Sequence, residues 1–203
     1  MAKRLFDLVL AVLALAVLAP LLLAAALWVR LDSAGPAVFR QERVGRHGKV
    51  FRIHKLRTMR VDAASHGPAV TTAADPRVTA AGRWLRHYRI DELPQLIDVI
   101  AGHMSLVGPR PEVPRFVALY PPALREQVLS VRPGLTDPAS LEFVDEAAAL
   151  TSAADAERAY IDDILPRKLR CQAEYAQHAS LASDLAVLAR SVRVVLARRR
   201  VPQ

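Results

Sequence analysis

Arg89-Ile90-Asp91-Glu92-Leu93-Pro94-Gln95 is the stretch whose residue types and spacing best support chemistry. Asp is a favoured helix N-cap, because its side-chain oxygen accepts a backbone N–H that the first turn leaves unpaired. With Asp91 as cap, Pro94 falls in the first turn, where a missing N–H costs nothing. The pair then sits at the positive end of a helix dipole, where anions are favoured and phosphate is readily held. Neighbours on a helix point roughly 100° apart, so the two carboxylates are expected to do different jobs. An ionised Asp is a credible nucleophile toward phosphorus, and a Glu beside it a credible ligand for a hard cation. The plain alternative is an ordinary capped helix with acidic residues in its first turn.

Cationic partners for such chemistry lie on both sides. Lys55 and Arg57 alternate with apolar residues, so on an extended segment they share a face and form a candidate phosphate clamp. Arg110 stands between Pro109 and Pro111, which fix the backbone around it; the alternative is a stiff loop with an exposed arginine. The chain has 203 residues, enough for one domain with a proper core, and a net charge of +8, which calls for a polyanionic partner or surface. Two Trp and four Tyr are thin provision for stacking on single-stranded bases, so a nucleic-acid binder is disfavoured. The single Cys171 excludes an internal disulfide and reads as a small apolar residue. No Gly-rich dinucleotide fingerprint supports a redox cofactor.

The elements that must position these groups begin with an apolar run over residues 5–29, interrupted only by Asp7 and flanked by Lys3-Arg4 and Arg30. As a straight helix it would reach about 37 Å, against a bilayer core of ~30 Å. A secretory signal would be cleaved near Ala14-Ala16, yet the apolar run continues well beyond. A plain span puts positive residues on both sides of the membrane, against the positive-inside rule. A helix bent at Pro20 that returns to the same leaflet satisfies both flanks, although the freed Ala16 carbonyl then needs a donor. Residues 37–42 and 49–53 around Gly45-Arg46-His47-Gly48 read as a β-hairpin, whose Arg40, Arg43, Arg46 and Arg52 would face headgroups or solvent. Residues 62–76 read as a loop that covers a site, followed by a helix bearing Trp84, Leu85 and Tyr88. A central helix is expected over 93–101. Residues 112–131 read as helical, with Phe116, Leu119, Leu124 and Val128 as core. Residues 147–165 and 167–200 are further helices, the last with Leu181, Leu185, Leu188, Val192, Val195 and Leu196 on one stripe and arginines opposite, suited to an anionic interface or to core packing. The expected fold is α+β and predominantly helical: a membrane helix over 1–30, then a membrane-associated catalytic domain over 31–203.

The order of motifs resembles the bacterial sugar transferase family, the small monotopic phosphoglycosyl transferases. It runs from the kinked apolar helix and hairpin through Lys55-Leu56-Arg57-Thr58-Met59 and Asp91-Glu92-Leu93-Pro94-Gln95. Ser105-Leu106-Val107-Gly108-Pro109-Arg110-Pro111 and Arg132-Pro133-Gly134-Leu135-Thr136 complete it. The resemblance covers nearly the whole chain, without the multi-spanning N-terminal region of larger members. It implies a protein of the bacterial inner membrane, on its cytoplasmic face, held by a re-entrant helix at Pro20. Such enzymes transfer a sugar 1-phosphate from a UDP-sugar to undecaprenyl phosphate and release UMP, the first membrane step of glycan assembly. By similarity Asp91 is the nucleophile and Glu92 helps hold Mg²⁺, with both carboxylates as metal candidates. Lys55, Arg57, Arg89, Arg110 and Glu112 are then the substrate-binding candidates. The implied partners are the UDP-sugar, undecaprenyl phosphate and an anionic bilayer, with no nucleic acid and self-association left open. The rival class is a non-enzymatic basic peripheral protein that scaffolds glycan assembly. The sequence departs from the family pattern at Ala19, where Ser is usual, and at Asp98, His103 and Asp137, where Asn, Asp and Gly are commoner.

Overall fold

The computed structural model describes residues 1–61, 71–72, 75–143, 150 and 155–198. The expected loop over 62–76 lies largely outside these residues, as do most of the Ala-rich segment after 147 and the Arg199-Arg200 tail. Helix α1 runs unbroken over Ala2–Asp32 with Pro20 inside it. Its most apolar window has a mean hydropathy of 2.9, and the helix is long and apolar enough to cross a membrane. Leu13, Val17, Leu23, Leu27 and Leu31 are exposed along it. Both halves nevertheless pack on the body. Ala11 belongs to a core with Ile53, Leu96, Val99, Met104 and Leu106, while Ala25 and Val29 belong to another with Leu56, Leu85 and Ile90.

The hairpin is present and longer than the sequence suggested: β1 (Val38–Val44) pairs antiparallel with β2 (Val50–Leu56) across a 3₁₀ turn at Arg46–Gly48. Arg40, Arg46 and Arg52 are exposed, but Arg43 turns inward, its side chain 16% exposed against Glu112. Helix α2 (Ala80–His87) begins at Thr79, whose hydroxyl accepts from the Gly82 N–H. Gly82 lies so close to Thr58 that a Cβ there would meet the Thr58 carbonyl at 2.1 Å. This contact presses α2 onto the segment after β2.

The acidic stretch departs from expectation. Asp91 is not an N-cap: residues Ile90–Gln95 form a 3₁₀ helix capped by Arg89, and α3 (Leu96–Ile100) follows it. Arg89 adopts φ 58° and ψ 21°, a left-handed conformation uncommon for a side chain of this size. That residue reverses the chain between α2 and the acidic pair. A tight i→i+3 helix suits a stretch in which Pro94 cannot donate.

A second, parallel sheet was not foreseen: β3 (Ser105–Val107) pairs with β4 (Gly134–Thr136). Here the two family-like motifs, far apart in sequence, become neighbours. The crossing requires glycine on both sides. A Cβ at Gly108 would sit 2.3 Å from the Arg132 carbonyl oxygen, and one at Gly134 2.1 Å from the Gly108 nitrogen.

The helix expected over 112–131 is broken. Pro121 and Pro122 divide it into α4 (Pro114–Val117) and α5 (Pro122–Val128), and Leu119 is exposed rather than core. Helix α6 (Pro138–Glu142) begins at Asp137, and α7 (Ala156–Ala159) passes through a π turn (Tyr160–Ile164) into α8 (Leu165–His178). The expected last helix is interrupted at Ala179-Ser180 before α9 (Leu181–Arg198). On α9 the packed side is Asp184, Val187 and Leu188, while Leu181, Leu185 and Val192 stay exposed.

Candidate active site

The 3₁₀ helix carrying Asp91 and Glu92 is held between two cores, one entered by its own Ile90 and the other by Leu96, the first residue of α3. Glu92 is the hub. Arg110 approaches it with both terminal nitrogens, Nη1 to Oε2 at 3.0 Å and Nη2 to Oε1. Lys55 Nζ donates to Oε1 at 2.8 Å, and Arg89 Nη1 stands 3.9 Å from Oε2. Burial alone would push the Glu92 carboxyl up, but the Arg110 and Lys55 charges overcome it and hold the group well below the usual carboxylate range. Reciprocally, Glu92 raises Arg110, whereas burial lowers Lys55 more than Glu92 restores.

Asp91 differs from its neighbour. It is 7% exposed, and among the described residues no hydrogen bond or ion pair reaches its carboxylate. Burial, and then the Glu92 charge, push its carboxyl above the ordinary value, against the pull of Lys55, Arg86 and Arg110. A carboxylate with its lone pairs unspent, set in a field of three cations, is available to attack an electrophile. Arg86 was not singled out in the sequence. It reaches this field from α2, its Nε donating to Thr58 Oγ1 at 2.8 Å; its only sequence signal is a basic residue one short helix upstream of the acids.

Arg110 is pinned from behind. Its backbone N–H donates to Asp137 Oδ2 at 3.0 Å, and the same oxygen accepts from Gln172 Nε2 at 2.7 Å. Asp137 Oδ1 accepts from Ser140 N at 2.6 Å and so caps α6. The flanking Pro109 carbonyl accepts from Gly134 N at 3.0 Å.

Two expected substrate contacts are engaged elsewhere. Arg57 shares a face with Lys55, but its guanidinium closes the end of α1, donating to Pro36 O (2.7 Å), Ser33 Oγ (2.5 Å) and Ser33 O (2.8 Å). Glu112 accepts from Tyr160 Oη at 2.6 Å and faces Arg43 at 3.5 Å and Lys168 at 4.0 Å. Its role in this arrangement is to neutralise Arg43 beside Arg110. Asp98, six residues beyond Glu92, accepts from the His54 backbone and from His54 Nδ1, both at 2.8 Å. His103 stacks on Phe51, ring centroids 5.7 Å apart. Cys171 is half-buried, and burial pushes its thiol up to about 11, which keeps it protonated.

Comparison with known proteins decides the lineage, since the bacterial sugar transferase family model matches residues 1–198. The chain belongs to that family. A UDP-glucose:undecaprenyl-phosphate glucose-1-phosphate transferase of Caulobacter vibrioides is 40% identical over 194 residues, covering 94% of this chain and 68% of that protein. An Aeromonas hydrophila UDP-N-acetylgalactosamine-undecaprenyl-phosphate N-acetylgalactosaminephosphotransferase is 36% identical over 196 residues, 96% of this chain and 43% of its own length. An Escherichia coli protein named as a UDP-glucose:undecaprenyl-phosphate glucose-1-phosphate transferase is 43% identical over 136 residues, 66% of this chain and 29% of its own. The matched segment is thus a fraction of these relatives, from under a third to about two thirds of their length.

Proposed function

We propose that this family member transfers a sugar 1-phosphate from a UDP-sugar to undecaprenyl phosphate and releases UMP, with Asp91 as nucleophile. The observation that carries the assignment is the division of labour between adjacent carboxylates. Glu92 is paired with Arg110 and Lys55, while Asp91 is left without a hydrogen-bonding partner among the described residues. In the first step an Asp91 oxygen attacks the phosphorus nearest the sugar. The bond from that phosphorus to the bridging oxygen breaks, and UMP departs with the electron pair. In the second, an oxygen of the lipid phosphate attacks the aspartyl-bound phosphorus, and the Asp91 carboxylate is expelled. Covalent storage lets a water-soluble donor leave before the lipid acceptor enters, so one pocket serves both. Arg110, Lys55 and Arg89, gathered around Glu92, supply fixed positive charge to the diphosphate.

Magnesium fits the donor set on one condition. Among the described residues no three His, Cys, Asp or Glu side chains converge, so Asp91 and Glu92 would hold the ion only together with substrate phosphates and water, which is its usual habit. When bound it would add positive charge where the leaving phosphate gains negative charge.

A monotopic, same-side topology is supported by the contacts at both ends of α1. Near the start, Arg4 donates to the Val99 and Ile100 carbonyls at 2.6 and 3.0 Å, and Asp7 accepts from Ser105 Oγ at 2.8 Å. Near the end, Arg57 holds Ser33, and Asp32 accepts from Ala81 N at 3.2 Å. Both ends held by one body favour entry and exit by one leaflet. Exposed Leu181, Leu185 and Val192 on α9 fit the same interface. The test of the activity is a UMP-release screen of the full chain in membranes over UDP-sugars with polyprenyl phosphate. Release by wild type and its loss in Asp91→Asn support the reading; no release with any donor, and indifference to chelators, would favour the scaffold.

A further inference from the structure

A cavity of about 220 Å³ opens at the start of α1, lined by Lys3, Arg4, Asp7, Arg46, Arg132 and Tyr175 among others. It contains none of the residues around Glu92. Four cationic side chains thus face one carboxylate, that of Asp7. Two of the cations are already spent. Lys3 Nζ lies 2.5 Å from Asp184 Oδ2 and donates to the Val107 carbonyl at 3.2 Å, and Arg4 is committed to the end of α3. Among the described residues the other two hold one anchor each: Arg46 Nε donates to Ser130 O at 2.8 Å, and Arg132 Nε to Gly102 O at 3.0 Å. Among the described residues, their terminal guanidinium nitrogens have no protein partner. Each arginine is therefore oriented by its inner nitrogen while its outer fork remains available for an anion.

The surroundings say which anion. Leu5, next to Arg4, is 65% exposed, and Leu181 and Leu185, on either side of Asp184, are also exposed. A cationic hollow beside unpartnered apolar side chains matches a phosphate that carries hydrocarbon chains rather than a free nucleotide. We propose that this cavity binds the phosphodiester headgroup of an anionic membrane phospholipid, through Arg46 and Arg132, apart from the reaction centre. Occupancy would tie the hairpin turn, the β3–β4 crossing and the start of α1 to one lipid.

The test uses the full chain in neutral detergent, with phosphatidylglycerol binding followed by native mass spectrometry. A cation near a lipid surface contributes roughly a fivefold gain in binding. The double variant Arg46→Gln/Arg132→Gln is therefore expected to bind phosphatidylglycerol about 20- to 30-fold more weakly than wild type. The charge-matched Arg125→Gln/Arg158→Gln, altered at exposed sites outside the cavity, should keep wild-type binding. Equal loss in both variants, or none in either, overturns the site. Polyprenyl phosphate is run in parallel: weakened binding of that lipid alone in the cavity variant would assign the hollow to the acceptor and overturn the phospholipid assignment. Circular dichroism of both variants confirms that they fold, and Arg132→Lys, which keeps the charge, should recover most of the affinity.

Discussion

Replacing Asp137 by Ala tests how the reaction centre is held without touching it. The carboxylate is fully buried and accepts three hydrogen bonds, from the Arg110 and Ser140 backbones and the Gln172 amide. A hydrogen bond to a charged acceptor contributes about 1.5–3 kcal/mol, and removing a buried charge offsets part of the loss, leaving about 3–5 kcal/mol. In a chain of this size each kcal/mol moves Tm by about 2–4 °C, so Asp137→Ala should melt roughly 6–20 °C lower. Activity should suffer independently, because a displaced Arg110 backbone carries its guanidinium off Glu92; a misplacement near 1 Å costs about 100-fold in rate. Asp137→Asn separates these effects. Gln172 can turn its amide to meet the new side chain, so one donor is left unpaired, at a cost of about 1–3 kcal/mol. The assay pairs thermal unfolding in detergent with UMP release under saturating donor. Wild-type melting and turnover in Asp137→Ala would refute the claim that this residue pins Arg110.

Arg86→Gln removes a charge that favours ionised Asp91. On the proposed mechanism attack requires ionised Asp91, so the acid limb of kcat/KM should move to higher pH; an unmoved limb would separate Arg86 from the proposed nucleophile. Arg57→Ala should lower stability by about 2–4 kcal/mol through loss of the α1 closure, yet leave the KM for the UDP-sugar unchanged, since its donors serve carbonyls. A raised KM in a folded variant would return Arg57 to the substrate. Gly134→Ala should abolish folding or assembly of the β3–β4 crossing, visible as loss of protein from the membrane fraction, because a Cβ there meets backbone. Cysteines placed at positions 2 and 33 should both be labelled from one face of sealed vesicles, and labelling from opposite faces would make α1 a span.

Much of this architecture is local and was legible. The hairpin follows from a β-branched and aromatic run broken at Gly45-Arg46-His47-Gly48, and the apolar helix from composition alone. The acidic pair was found, but not its setting, because the choice between a capped α-helix and a 3₁₀ turn depends on the left-handed Arg89 and on packing between two cores. Lys55 and Arg110, read from the sequence as phosphate-binding groups, both lie against Glu92. Arg57 was not, since a guanidinium two residues along the same face finds a helix end before it finds an anion. Asp137, Gln172, Arg43 and Arg86 depend on long-range contacts that no periodicity encodes. The parallel crossing of β3 and β4 was equally hidden, although its glycines were in plain view.

The most direct measurement is to mix the protein with a UDP-sugar in the absence of lipid acceptor, quench, and map any added mass by peptide sequencing. A sugar-phosphate increment on the peptide containing Asp91, discharged when polyprenyl phosphate is supplied, is the expected result. A preparation that makes lipid-linked product while Asp91 stays unmodified, or that turns over as Asp91→Asn, contradicts the account.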